Sequence, residues 1–248
     1  MTTQLHTTIP STTEAVRSLG TILSVWAHPD DESYLAAGVM AATRQLGGRV
    51  VCAAASAGEL GTDDPGAWPP ARLGTIRRWE AAAAMAVLGV AEHEVLGLPD
   101  GRLSEHEAEG SAWAGRLLDD VRPDTVLTFG PDGVTGHPDH VAVHRWVRAA
   151  WEERGCAARL LHPTPTVEHL ERFAETYEDW GVYMTDERPA GVRAEDLALH
   201  LELDGALLDR KLTALRAMAT QTSAVVAQLD VAGYLPLIAE EAFVEAAR

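Results

Sequence analysis

Short apolar runs with β-branched members alternate with longer segments of helical periodicity, and glycine or proline marks most of the switches between them. That order predicts an α/β fold: a Rossmann-like, mostly parallel sheet with helices on both faces, in a single domain. The composition agrees, because 46% of the 248 residues are hydrophobic, enough to fill a sizeable core.

The elements follow in chain order. Residues 1–20 are Thr-rich and are expected to be a flexible N-terminal segment, with the domain spanning 21–248. Ile22–Trp26 reads as a buried strand, and Ser33–Leu46 as a helix closed by Gly47-Gly48. Arg49–Ala55 is a second apolar strand. Gly58–Pro70 is too rich in Gly and Pro for either period, and loops of this length inside a compact domain are often functional. Arg72–Leu88 is a helix stopped by Gly89, Glu94–Leu98 a short strand, Ala112–Val121 a helix and Thr125–Phe129 another strand. His140–Arg154 is helical and Ala158–Leu161 a further strand. Beyond Pro163 the pattern loosens. Val167–Tyr177 is a helix, and the alternation of Leu197, Leu199, Leu201 and Leu203 suggests a strand. Leu207–Gln221 and Leu235–Ala247 are expected as the last two helices.

Charge and cysteine usage exclude several classes. With 20 Lys+Arg against 37 Asp+Glu, the net charge is −17. Phosphate backbones and anionic membrane surfaces both call for cationic patches, so neither nucleic acid nor membrane is an expected partner. The two cysteines, Cys52 and Cys156, form no CxxC pair and no disulfide framework. No secretory signal or membrane span is visible, and a cytoplasmic location is expected. A homo-oligomer is compatible with the sequence. The first strand–helix turn lacks G-x-G-x-x-G, and its acidic residues would repel a pyrophosphate, which argues against nucleotide binding.

Ligands of open α/β sheets bind beyond the carboxyl ends of the strands. Two segments there carry unusual chemistry. Ala27-His28-Pro29-Asp30-Asp31-Glu32 packs one imidazole and three carboxylates together, and Gly136-His137-Pro138-Asp139-His140 adds two histidines. Alone, the first segment also reads as an acidic helix N-terminus. Imidazole with carboxylate is a partial site for a divalent metal, zinc above all, and the fold would bring the two segments together. His144 shares a helix face with His140 but reads as a surface or supporting residue. Trp68 and Trp180-Gly181-Val182-Tyr183 suit either a substrate wall or a loop anchor.

These two segments resemble the signature of the LmbE/PIG-L family of zinc-dependent N-deacetylases. Ser56-Ala57-Gly58-Glu59 resembles the family's T-x-G-E turn, Arg77-Arg78-Trp79-Glu80 its R-x-x-E helix, and Leu98-Pro99-Asp100-Gly101 its short acidic turn. The resemblance covers residues 21 to 150. It extends loosely to the Lys211–Gln221 helix, where Met218 stands in place of a histidine that many relatives carry. It implies that His28, Asp31 and His140 bind zinc (or iron), leaving a position open for water. Asp30 would be the general base. His137 would protonate the leaving amine or stabilise the oxyanion, and Asp139 would orient a histidine. Glu59, Arg77 and Asp100 would bind a small amino-sugar substrate. The implied activity is removal of an N-acetyl group from an N-acetylglucosaminyl conjugate. Cleavage of thiol S-conjugate amides on the same site and non-catalytic sugar or metal binding are the alternatives.

Overall fold

A computed structural model describes residues 12–248. The elements are α1 (Thr12–Arg17), β1 (Ile22–Trp26), α2 (Asp31–Leu35), α3 (Ala37–Gln45), β2 (Val50–Ser56), α4 (Pro70–Leu88), β3 (Glu92–Leu98), α5 (Glu107–Val121) and β4 (Thr125–Leu127). They continue with α6 (Pro138–Glu153), β5 (Arg159–Pro163), α7 (Val167–Asp179), β6 (Leu199–Glu202), α8 (Gly205–Ala217), α9 (Ala219–Ile238) and β7 (Glu240–Glu245).

One sheet holds all seven strands in the order β3-β2-β1-β4-β5-β7-β6. β1 to β5 pair in parallel, with Ile22 opposite Val50 on one side and Thr125 on the other. β1 and β2 are buried along their whole length, as strands covered on both faces should be. β3 is an edge strand, which is why it tolerates Glu92, His93 and Glu94 facing solvent. The chain moves outward from β1 to β3 and then returns to β4 on the other side. With right-handed crossovers this reversal puts α5 and α6 on the opposite face from α3 and α4. The crevice where the direction reverses, between β1 and β4, is the expected ligand position of such a sheet.

Packing follows the sequence closely in this half. Trp26 is fully buried and meets Phe129 edge to face at 5.0 Å, its Nε1 donating to Ser24 Oγ at 2.6 Å. α4 ends at Gly89, whose φ of 77° few side-chain-bearing residues accept, so that the Val90 N–H turns back to the Met85 carbonyl at 2.9 Å.

Four expectations need correction. Residues 1–11 of the proposed flexible segment lie outside the described residues, but Thr12–Arg17 form α1, and Val16 and Leu19 are buried in the core. The helix expected over Ser33–Leu46 is two, broken at Ala36 (φ −146°, ψ 8°). The helix expected over Leu207–Gln221 breaks at Met218, and α9 runs on to Ile238. Finally, the helix expected over Leu235–Ala247 is helical only to Ile238, the end of α9. Its second half is β7, antiparallel to both β5 and β6, with Phe243 opposite Pro163 and Leu199. Glu and Ala favour helix there, and two strands offering unpaired backbone groups override that preference.

β7 also carries a clamp. Glu241 accepts hydrogen bonds from Gly38 N (2.7 Å) and Val39 N (2.8 Å), the free amides at the start of α3. The same carboxylate meets Lys211 Nζ of α8 at 2.8 Å, and this ion pair is buried completely. Beside it Leu212, Leu215, Tyr234, Leu237 and Ile238 form a second hydrophobic cluster, with Tyr34, Tyr177 and Trp180 packed against it.

Candidate metal centre

The turn after β1 is bent out of ordinary geometry. Asp30 has φ 121° and ψ −33°, a conformation that side chains other than Gly rarely adopt. Four hydrogen bonds hold it there. The Asp30 N–H donates to Glu32 Oε2 at 3.1 Å, the Asp30 carbonyl accepts from Ser33 N and Tyr34 N at 2.9 Å each, and Arg77 Nη2 meets Asp30 Oδ2 at 3.1 Å. Strain of this kind persists where the surroundings over-determine it, most often at functional sites.

Arg77 reaches the turn from α4. Its Nη1 donates to the Gly58 carbonyl and its Nη2 to the Pro29 carbonyl, both at 2.5 Å, and it is almost wholly buried. The guanidinium lies so close to Gly58 that a Cβ there would stand 2.1 Å from Nη1, so the glycine is required by the approach as well as by its φ of 63°. Glu80, the other half of the R-x-x-E pair, points away from the turn. Its carboxylate accepts from Thr220 N (2.9 Å) and Thr220 Oγ1 (2.6 Å) at the start of α9.

The two sequence segments meet across the crevice. Among the described residues, two groups place ligand atoms within 4.8 Å of one another: His28, Asp31 and His140, and His28, His137 and Asp139. His140 Nδ1 lies 2.9 Å from the Gly133 carbonyl and donates to it, which leaves Nε2 unprotonated, 3.3 Å from Asp31 Oδ1. That is the usual arrangement of a metal-binding imidazole. His28 Nε2 faces two carboxylates, Asp100 Oδ1 at 3.0 Å and Asp139 Oδ2 at 3.3 Å, so Nε2 carries a proton and Nδ1 faces Asp31. Asp139 is fully buried and also accepts from Gly101 N (2.7 Å) and Leu103 N (3.0 Å). Phe129 stacks on His140 at 4.1 Å, and His137 stacks on its neighbouring side at 4.8 Å.

The donor set fits a divalent cation. Asp31, Glu32, Asp100 and Asp139 are buried and Asp30 is half-buried, with Arg77 as the buried cation among them. Burial lowers the affinity of His28 for its proton, but the hydrogen bonds to Asp100, Asp139 and Asp31 outweigh it and hold the imidazole well above its ordinary range. Burial pushes Asp31 up, and the charges of His140 and His28 more than reverse this. A crowd of carboxylates that keeps an imidazole protonated offers a metal ion the place of that proton. Asp30 is pushed up to about 6 by burial, with Arg77 opposing. Glu32 is pushed up to about 8 by burial and the Asp30 charge, so at neutral pH it is mostly uncharged. His137 is lowered to about 4 by burial and by His28, and its Nδ1 accepts the Asp139 N–H at 3.1 Å, so the neutral ring carries its proton on Nε2.

The remaining expected residues flank this centre. Asp100 Oδ2 accepts from Leu60 N at 2.8 Å, and Glu59 Oε1 accepts from Asp100 N at 3.0 Å, so the two loops are laced together. His144 lies apart, its Nδ1 2.8 Å from the Phe129 carbonyl. Trp180, Val182 and Tyr183 line a cavity of about 650 Å³ that opens beside Asp31 and His140, whereas Trp68 lies under the guanidinium of Arg72 at 4.9 Å. Two participants escaped the sequence reading. Glu32 looked like a carboxylate on the helix dipole, and the Gly133 carbonyl carries no sequence signal beyond its glycine. Because Asp139 holds His28, changing Asp139 to Ala is expected to weaken zinc affinity about 10–100-fold, read by competition with a chromogenic chelator; unchanged affinity would sever Asp139 from the centre.

The fold and this site define an α/β protein with a His–Asp–His metal-binding group at the switch point of its sheet. Residues 23–151 match the family model described as PIG-L: GlcNAc-PI de-N-acetylase, and the chain belongs to that family. It is similar to the 1D-myo-inositol 2-acetamido-2-deoxy-alpha-D-glucopyranoside deacetylase of Acidothermus cellulolyticus, with 34% identity covering 83% of this chain and 80% of that one. The enzyme of the same name from Saccharomonospora viridis is 35% identical over 61% of this chain and 65% of its own length. Among solved structures, the A40926 pseudoaglycone deacetylase Dbv21 shares the fold at a TM-score of 0.67 and 21% identity, covering 93% of this chain and 100% of that one. Among the described residues no helix is long and apolar enough to cross a membrane.

Proposed function

We propose that this protein is a zinc-dependent hydrolase that removes an N-acetyl group from an N-acetylglucosaminyl conjugate, in the cytoplasm. The observation that carries the reading is the placement of His28, Asp31 and His140 around one point with the strained Asp30 beside them. The deacetylase names of the relatives support the same reaction.

His28 through Nδ1, Asp31 through its carboxylate and His140 through Nε2 would hold the zinc. Zinc, when bound, supplies electrophilic activation of the amide carbonyl and of water. The side chains supply the rest. Asp30 removes the proton from the attacking water, and Arg77 aims its carboxylate and favours its ionised form. His137, neutral with its proton on Nε2, donates a hydrogen bond to the oxygen that gains charge as the carbonyl is attacked. Asp139 sets both histidines, His28 through its carboxylate and His137 through its backbone N–H. Asp30 then returns its proton to the leaving nitrogen. Glu59, Arg77 and Asp100, on the loops after β2 and β3 and on α4, form the side that meets the sugar.

Metal-stripped protein, with and without added zinc, incubated with N-acetylglucosamine conjugates tests the reading. Zinc-dependent appearance of acetate and free amine is expected; no release with zinc bound would refute it. A pH profile adds a second check. Asp30 must be ionised to act, and burial raises its pKa to about 6, so kcat/KM is expected to rise with pH through about 6 and to fall away below it. A flat acid limb down to pH 4 would assign the base elsewhere.

A further inference from the structure

The sheet order divides the surroundings of the metal centre into two unlike sides. The centre sits at the ends of β1 and β4. Glu59 and Asp100 follow β2 and β3 on one side, and with Arg77 they are polar. On the other side, past β5 and β7, lies the cavity of about 650 Å³, with Asp31 and His140 in its lining. Its wall is aromatic and aliphatic, formed chiefly by Tyr34, Tyr177, Trp180, Tyr183, Val225 and Leu237.

Most polar groups deep in that wall are already engaged within the protein, and the Asp179 carboxylate lies exposed at its edge. Glu241 is held by Lys211, Gly38 and Val39. Glu240 accepts from Thr166 Oγ1 at 2.8 Å. Tyr177 pairs with His169 at 2.6 Å, and Tyr34 accepts from Tyr234 at 3.1 Å. A polyhydroxyl ring placed against the aromatic part of the wall would lose water and gain few partners there, and each unpaired hydroxyl is costly. An alkyl chain has no hydroxyls to leave unpaired against that apolar surface. The volume also lies within the range of about 300–1,000 Å³ that encloses drug-sized ligands, far more than the methyl of an acetyl group requires.

An amide has two sides. If its carbonyl stands at the metal centre and its sugar faces Glu59, Arg77 and Asp100, its acyl substituent faces the cavity. We propose that this cavity is an acyl pocket and that the enzyme hydrolyses glucosaminyl amides bearing alkyl chains longer than acetyl. The inference rests on the hydrolase reading above. The reaction is unchanged in kind: water supplies the oxygen of the new C–O bond, the acyl C–N bond breaks, and the products are an alkanoate and the sugar amine, which takes the proton.

The test is a series of methyl glucosaminides carrying N-acetyl, N-butanoyl, N-hexanoyl and N-octanoyl groups, with N-acetyl octyl glucosaminide as the counterpart. Zinc-loaded protein is used throughout. kcat/KM is expected to climb from acetyl to hexanoyl by up to about fourfold per methylene. Val225→Trp, which fills the cavity from α9, is expected to bring the hexanoyl-to-acetyl ratio close to one. Rates that fall with chain length while acetyl is cleaved would overturn the pocket and leave the hydrolase reading standing. A gain confined to the octyl glycoside would also overturn it, by placing the apolar group on the sugar side. If no amide is cleaved, the hydrolase reading fails, and calorimetric binding of acetate, hexanoate and octanoate decides the pocket. Affinity that grows with chain length and is lost in Val225→Trp sustains it; affinity independent of chain length overturns it.

Discussion

Replacing Asp30 with Asn is expected to lower kcat by about 10²–10⁴-fold, the usual contribution of a positioned general base, while zinc remains bound. The substitution isolates the base for structural reasons. Asp30 is outside both ligand groups, so the metal keeps His28, Asp31 and His140. Asn is among the side chains that best tolerate positive φ, and its Oδ1 still accepts from Arg77, so the strained turn survives. Turnover within a few-fold of the parent, at full zinc content, would remove Asp30 from the chemistry. Loss of zinc together with turnover would instead show that the strained turn, not the carboxylate, had been the casualty.

The second large effect concerns stability. Changing Glu241 to Ala leaves Lys211 as a buried, unpaired cation and strips Gly38 and Val39 of their acceptor. Removing one partner of such a pair typically costs about 3–5 kcal/mol, to be read from denaturant midpoints at unchanged m-value. Combining Lys211→Met with Glu241→Gln is expected to recover most of this, because the charge disappears and the amide oxygen still meets the start of α3. A cost below about 1 kcal/mol for Glu241→Ala would mean that water reaches Lys211 and that the clamp contributes little.

The parallel half of the fold was legible because its strands are short, mostly apolar apart from the edge strand β3, and closed by recognisable turns. The site was legible for a related reason: its ligands come from two compact segments, each placed by one strand end. What stayed hidden depends on partners distant in sequence. Glu240–Glu245 has helix-favouring composition and becomes a strand only because β5 and β6 flank it. The break at Met218 follows from packing, since Met218 is buried and Thr220 is capped by Glu80 from α4. Glu32 could not be distinguished from its acidic neighbours Asp30 and Asp31, because its burial is set by what closes over the turn. The resemblance assigned Asp100 to the substrate, whereas in the fold its carboxylate also faces His28.

The sheet is finished late in the life of the chain. Among the described residues β6 has only β7 as its neighbour in the sheet, and Leu201 waits for Glu241, 40 positions downstream. At ribosomal rates of about 5–20 residues per second, that separation amounts to about 2–8 s. During that interval the nascent protein holds β1 to β5 complete, an unpaired β6 and a lysine whose counterion has not yet been synthesised. A chaperone that shields strand edges, or a pause in translation before residue 240, therefore acts on a species different from the finished enzyme, and slow codons in that stretch would lengthen its exposure to aggregation.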